Sequence, residues 1–148
     1  MAKNNMKIEK LHKELDFIQG VITRMANNSF LLKGWLISLI AVVLALNKDS
    51  LLSNEINIYI ILLLPIITFW YLDAFFLHRE KLYRKLYEWV ITNRPSNKDH
   101  LYSLNADRFK NQVESIFCVM FSITLRAFYG IPFLFLVGLI IYKISRNG

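Results

Sequence analysis

The stretch INIYIILLLPIITFWYLDAFFLHREKLYRKLYEWV, Ile56 to Val90, decides the fold class. Its first part, Ile56–Leu77, contains a single charged residue, Asp73. About 20 apolar residues are enough to cross the hydrocarbon core of a bilayer as a helix. Pro65 sits in the middle, where a membrane helix tolerates proline and is usually kinked by it. Trp70 and Tyr71 suit a membrane–water interface near the end of the span. Charges then resume, but the helical pattern does not stop. Leu82, Tyr83, Leu86, Tyr87 and Val90 fall on one face, and Glu80 with Arg84 forms a favourable i,i+4 pair. With no breaker before Pro95, the spacing predicts one helix that crosses the membrane and continues outside it to residue 92. From Asn57 to Thr92 it would be about 54 Å long.

The segment upstream mirrors this plan. Ile8, Leu11, Leu15, Ile18, Ile22 and Met25 are spaced alternately three and four residues apart, an a/d stripe on one helical face. Residues 6–28 are therefore expected to form an amphipathic helix. It could pack on another helix of this chain or of a neighbouring subunit, lie along the membrane surface, or dock an outside partner. FLLKGWLISLIAVVLAL, Phe30–Leu46, supplies a first span over residues 29–47, long enough if Lys33 snorkels towards the headgroups. NKDSLLSNE then reads as a short loop. Downstream, residues 93–112 read as a polar loop. Residues 113–125 read as an interfacial or buried helix, and 124–144 as a third span. A pair of short passes turning at Arg126–Pro132, giving four crossings in all, is the alternative. The expected fold is an all-α integral membrane bundle of three transmembrane helices with amphipathic cytoplasmic arms.

Composition agrees. The 148 residues are 55% hydrophobic, and the mean hydropathy is +0.35, high for a soluble domain of this length. The net charge of +7 flanks the apolar blocks, which fits anionic headgroups and topology control better than nucleic acid. Lysine and arginine number six through Lys33, one in the loop after the first span, and eight between His78 and Ser115. This bias places the N-terminus and the 78–115 region in the cytoplasm. Three crossings then put the C-terminus outside. No cleavable leader is visible, since a long segment of mixed charge precedes the first apolar block.

Three charges lie at similar depth near the cytoplasmic ends of the spans: Lys33, Asp73 and Arg126. Asp73 could pair with Arg126 or Lys33 and fix helix packing. Alternatively each charge snorkels alone, or the group serves transport or proton relay. Gly34, Ser38 and Ala41 share a face of the first span, as a close helix–helix or oligomer contact would want, and Gly130 and Gly138 could share one in the third. The lone cysteine, Cys118, reads as a small buried hydrophobe. Nucleotide-binding loops, zinc-ligand spacings and nucleophile elbows are missing from the sequence, so neither catalysis nor a cofactor is expected. The lipid bilayer is the expected environment and a second copy the expected partner. A cytoplasmic protein partner could use residues 1–28 and 78–112.

RMANNSFLLKGW entering the first span and YLDAFFLHREKLYRKLYEWV leaving the second frame an order of helix, span, short loop, span, helix. That order resembles the SLATT-type bacterial two-span effector domains and other small multispan proteins of anti-phage defence systems, over roughly residues 6–92. The third span is an addition to the two-span form. The resemblance implies a non-enzymatic inner-membrane protein that assembles and disrupts the membrane, or signals across it, when infection is sensed. A membrane anchor that recruits a soluble enzyme is a second reading. A small transporter using Asp73 and Arg126 is a third.

Overall fold

The computed structural model describes residues 2–46, 57–94 and 100–147, with side chains from Ile8 through Arg146 within them. All of its regular structure is helical. Helix α1 runs from Ala2 to Leu46 and α2 from Asn57 to Asn93. A 3₁₀ helix, Ala106–Gln112, and a short helix α3, Ile116–Met120, follow. The last helical stretch begins as α4, Ile123–Leu125, widens into a π segment at Arg126–Gly130, and continues as α5, Ile131–Asn147. Three stretches are long and apolar enough to cross a membrane: Ile8–Leu46, Asn57–Asn93 and Ile123–Arg146. The helical bundle with three candidate spans is thus present, and among the described residues the helix continues through Arg126–Pro132 where a pair of short passes would turn. The loop expected after the first span lies outside the described residues, as does Pro95.

The two segments expected in the first part of the chain join in α1. The amphipathic helix expected at 6–28 and the span expected from 29 are one continuous helix of 45 residues. Asn27, Asn28 and Ser29 do not interrupt it, because helix propensity differs by only tenths of a kcal/mol among ordinary residues. Packing of both halves on α2 overrides it. Likewise α2 passes through Pro65 without interruption.

Helices α1 and α2 form a long antiparallel hairpin. Every fourth residue of α2 from Ile58 through Val90 is buried. At 3.6 residues per turn, a four-residue step advances the buried stripe by about 40° around the axis. The stripe therefore meets different neighbours along its length. In the half beyond Leu77, which we call the arm, Leu82, Leu86 and Val90 pack with Ile18 and Ile22 of α1 and with Ala106 and Phe109 of the 3₁₀ helix. In the apolar half, Ile66, Trp70 and Ala74 pack with Leu36, Val119, Leu125 and Tyr129. The expected a/d stripe of α1 is this arm contact: Leu11 and Leu15 pack at its edge and Met25 is half-buried, while Ile8 is exposed beyond it.

Residues 93–112 are not simply a polar loop. Asn105 caps the 3₁₀ helix by accepting from the Asp107 amide, which turns Ala106 and Phe109 into the core. Ion pairs from Arg79 to Asp107 and from Lys81 to Glu114 strap the segment to α2. The hydrogen bonds from Arg79 and Lys81 hold both carboxyls below the usual carboxylate range. The expected 113–125 helix is broken after Met120. Trp70 is part of the core, its indole N–H donating 2.7 Å to the carbonyl of Met120 at the end of α3. Cys118, read as buried, is exposed.

A buried ion pair locks the far end of the arm. Glu14 is 1% exposed and the Arg94 side chain 6%. The guanidinium forks onto the carboxylate, with Nε at 2.8 Å and a terminal nitrogen at 2.5 Å. The same carboxylate accepts from the backbone N–H of Tyr102 at 3.1 Å. Removing one partner of such a pair leaves the other charge desolvated, at a cost of about 3–5 kcal/mol. Glu14→Ala should therefore lower the stability of the arm by that order, and Glu14→Leu combined with Arg94→Met should recover most of the loss. Thermal unfolding in detergent, with amide exchange read across residues 79–94, checks both.

Candidate functional site

The second buried ion pair joins the arm to the spans. Ser29 and Lys33 occupy adjacent turns of one face of α1, four residues apart. Opposite them, Asp73 of α2 is fully buried. The Ser29 hydroxyl donates to one carboxylate oxygen of Asp73, and the Lys33 ammonium donates to the other. Lys33 also donates to the Ser29 hydroxyl oxygen at 3.0 Å, so that hydroxyl relays between the two charges. The Lys33 side chain is 22% exposed. From the third span, the Tyr129 hydroxyl donates to Asp73 at 2.9 Å. Three helical segments thus converge on one carboxylate about a turn inside the apolar stretch that ends at Leu77.

Local features aim Tyr129 there. The π segment ends at Gly130, two residues before Pro132. Proline has no N–H to give the carbonyl of residue 128, so the i→i+4 pattern cannot continue through that turn. A π segment inserts an extra residue into the helix and re-aims side chains. Tyr129 is further fixed by Trp70, whose ring stacks on it at 6.1 Å between centroids and 10° between planes. Beyond it, Lys143 lies over the Tyr59 ring at 4.7 Å. The third span therefore runs antiparallel to α2, and its C-terminal end sits away from the arm.

Of the three charges expected at one depth, Lys33 and Asp73 come together and Arg126 does not. Arg126 is exposed and makes no ion pair among the described residues. It stands three residues before Tyr129, closer to the arm, on a face turned away from Asp73. The sequence reading missed Ser29 and Tyr129. Ser29 carried one legible signal, its i,i+4 spacing from Lys33. Tyr129 carried none, because its direction depends on the π segment. Gly34, Ser38 and Ala41 face outward. A side chain at Gly34 would meet nothing within 4 Å, and the Ser38 hydroxyl returns to the Gly34 carbonyl. Gly130 instead lies against Trp70.

Chemically, the arrangement is a clasp. Asp73 is neutralised by a lysine and hydrogen-bonded from both other spans, and charge-assisted bonds of this kind are the strong ones. Among the described residues, no group of His, Cys, Asp and Glu could hold a metal ion. No protein-family model matches the chain, and no curated protein or solved structure is significantly similar to it.

Two outcomes follow for this cluster. Asp73→Asn and Lys33→Met should each destabilise the hairpin, while the double variant should lose less than their sum, a coupling of about 1–3 kcal/mol. Arg126→Gln should add to Asp73→Asn without coupling. Unfolding in detergent measures the cycle. Separately, Tyr129→Phe removes one bond to a charged acceptor, worth about 1.5–3 kcal/mol. It should raise amide exchange in residues 126–136 and leave α1 and α2 protected.

Proposed function

We propose that this chain is a non-enzymatic, oligomeric protein of the bacterial inner membrane, acting as a membrane-disrupting or signalling effector in anti-phage defence. In this reading the N-terminus and the arm are cytoplasmic, the arm is the control surface, and the spans are the output. The observation that carries it is continuity. Two unbroken helices run from the arm into the apolar half, and at their junction Asp73 ties both to the third span. A displacement of the arm is transmitted along rigid helices to that clasp, so a signal received outside the bilayer can change packing within it.

A second reading, a membrane anchor that recruits a soluble enzyme, draws on the surface of the arm. Induced expression in cells loaded with a potential-sensitive dye separates the two. The effector reading expects depolarisation, with or without an infecting phage as trigger. It also expects Asp73→Asn, which loosens the clasp, to alter the threshold. An anchor leaves the membrane potential intact under both conditions and co-purifies with an enzyme.

A further inference from the structure

Most exposed apolar residues of this chain belong to the spans, where lipid covers them. One group does not. Phe17 is 48% exposed and Tyr102 39%, and their rings meet edge to face at 6.2 Å. Leu101 and Leu104, on the same loop as Tyr102, are 43% and 40% exposed. This loop is anchored at the Glu14–Arg94 pair. Arg94 lies sixteen residues beyond His78, just past the end of α2 and about 24 Å along its axis from the end of the apolar stretch. Lipid does not reach that far along the arm, and exposed apolar groups clustered away from it mark a protein contact.

The loop is also held in an unfavourable backbone shape. His100 and Tyr102 have φ of 58° and 59°, the left-handed region that non-glycine residues seldom adopt. Glu14, through the Tyr102 amide, and Arg94, through the His100 carbonyl, hold them there. Strain maintained by buried partners is characteristic of functional segments.

Charge says what fits. Arg108 stacks over Trp89 at 4.2 Å and over Phe109 at 4.9 Å. The same indole is also met by Arg94, which leads through Glu14 to Tyr102. The aromatic contacts fix the Arg108 guanidinium, yet it makes no hydrogen bond or ion pair among the described residues. A guanidinium pinned by a ring and otherwise unpaired is arranged to receive a carboxylate in a fork. On α1, Lys13 is one turn from Phe17 and Lys10 two turns away. Both are exposed, and neither is paired among the described residues.

We propose that Phe17, Tyr102 and the loop between residues 100 and 105, flanked by Lys13 and Arg108, dock a segment of a different protein that presents carboxylates beside apolar side chains. A second copy would bring the same net basic surface, Lys10, Lys13 and Arg108 against Glu9 and Asp16, to both sides of the contact, which disfavours self-association. The inference rests on the reading of the arm as the control surface.

The test places a photo-reactive benzoylphenylalanine at position 17 or 102 of the full chain, in the host that carries it, with position 23 on the outer face of α1 as control. The expected result is a crosslink at 17 and 102, absent at 23, to one protein whose linked peptide is acidic and apolar. Lys13→Glu with Arg108→Glu should reduce its yield at least tenfold, and the milder Lys13→Gln with Arg108→Gln several-fold. An unchanged thermal midpoint in detergent shows that the arm stays folded. Reversing the charges of the linked peptide should restore the yield with the glutamate variant. Crosslinks only to lipid, only to a second copy, or to nothing above the control overturn the proposal, as does a yield indifferent to both charge changes. The readout needs no depolarisation. A charge-dependent crosslink in cells that never depolarise would reject the effector reading and leave the docking surface standing.

Discussion

A carboxylate buried about a turn inside an apolar band cannot be left unsatisfied, and the rest of this structure is arranged around Asp73. An isolated ionised group there would be strongly disfavoured. Its stabilisation comes from three directions at once: the Ser29 hydroxyl and Lys33 ammonium of α1 and the Tyr129 hydroxyl of the third span. Each donor has to be at the right depth and on the right face. One polar requirement therefore fixes the register of the α1–α2 hairpin and the rotation of the third span. Apolar packing alone is poor at this. Leucine and isoleucine side chains meet lipid nearly as well as they meet one another, so a helix can slide or turn at little cost. Trp70 adds to the definition by stacking on Tyr129 and hydrogen-bonding the end of α3.

The arm obeys the same rule by different means. Nineteen residues along α1 separate Lys33 from Glu14, and twenty-one along α2 separate Asp73 from Arg94. The two buried ion pairs thus stand about 30 Å apart on the same hairpin. Between them lie an ordinary hydrophobic contact, Ile18 and Ile22 on Leu82, Leu86 and Val90, and the 3₁₀ helix that covers it. Two specific anchors joined by a continuous packed contact make a stiff lever. The outer anchor organises more than the hairpin, because the Glu14 carboxylate also holds the backbone of the 100–105 loop in the shape that exposes Leu101, Tyr102 and Leu104.

Much of this plan is written in local patterns. The a/d stripe from Leu11 to Ile22, the 22-residue apolar run ending at Leu77 and its uninterrupted continuation to Val90 specify long helices and three candidate spans. Hydrophobic periodicity and the cost of unpaired backbone in lipid act residue by residue. The depth of Asp73 and Lys33 could be counted along the sequence for the same reason. Where sequence reasoning went astray, the deciding interaction was distant. That the segments 6–28 and 29–47 share one helix is fixed by packing on α2, which runs along both. Trp70 turned into the core because the carbonyl of Met120, fifty residues later, accepts a hydrogen bond from its indole N–H. Ala106 and Phe109 joined the core because the segment around them is tied to α2, through Asp107 to Arg79 and through Glu114 to Lys81.

The sequence by itself determined the class: an all-helical chain with three stretches able to cross a membrane and a polar extension on the first two. It also determined that Asp73 needs a partner, since desolvation of a carboxylate is a property of the residue and its depth. Which partner was a tertiary decision. Arg126 and Lys33 look equivalent when counted along the chain, but helix rotation differs between them. Lys33 points into the hairpin beside Ser29, while the turn that re-aims Tyr129 towards Asp73 leaves Arg126 facing outward. Depth is read from a one-dimensional count. The face a side chain presents depends on the accumulated turn of the whole helix and on the packing that sets it, and only the assembled chain fixes that.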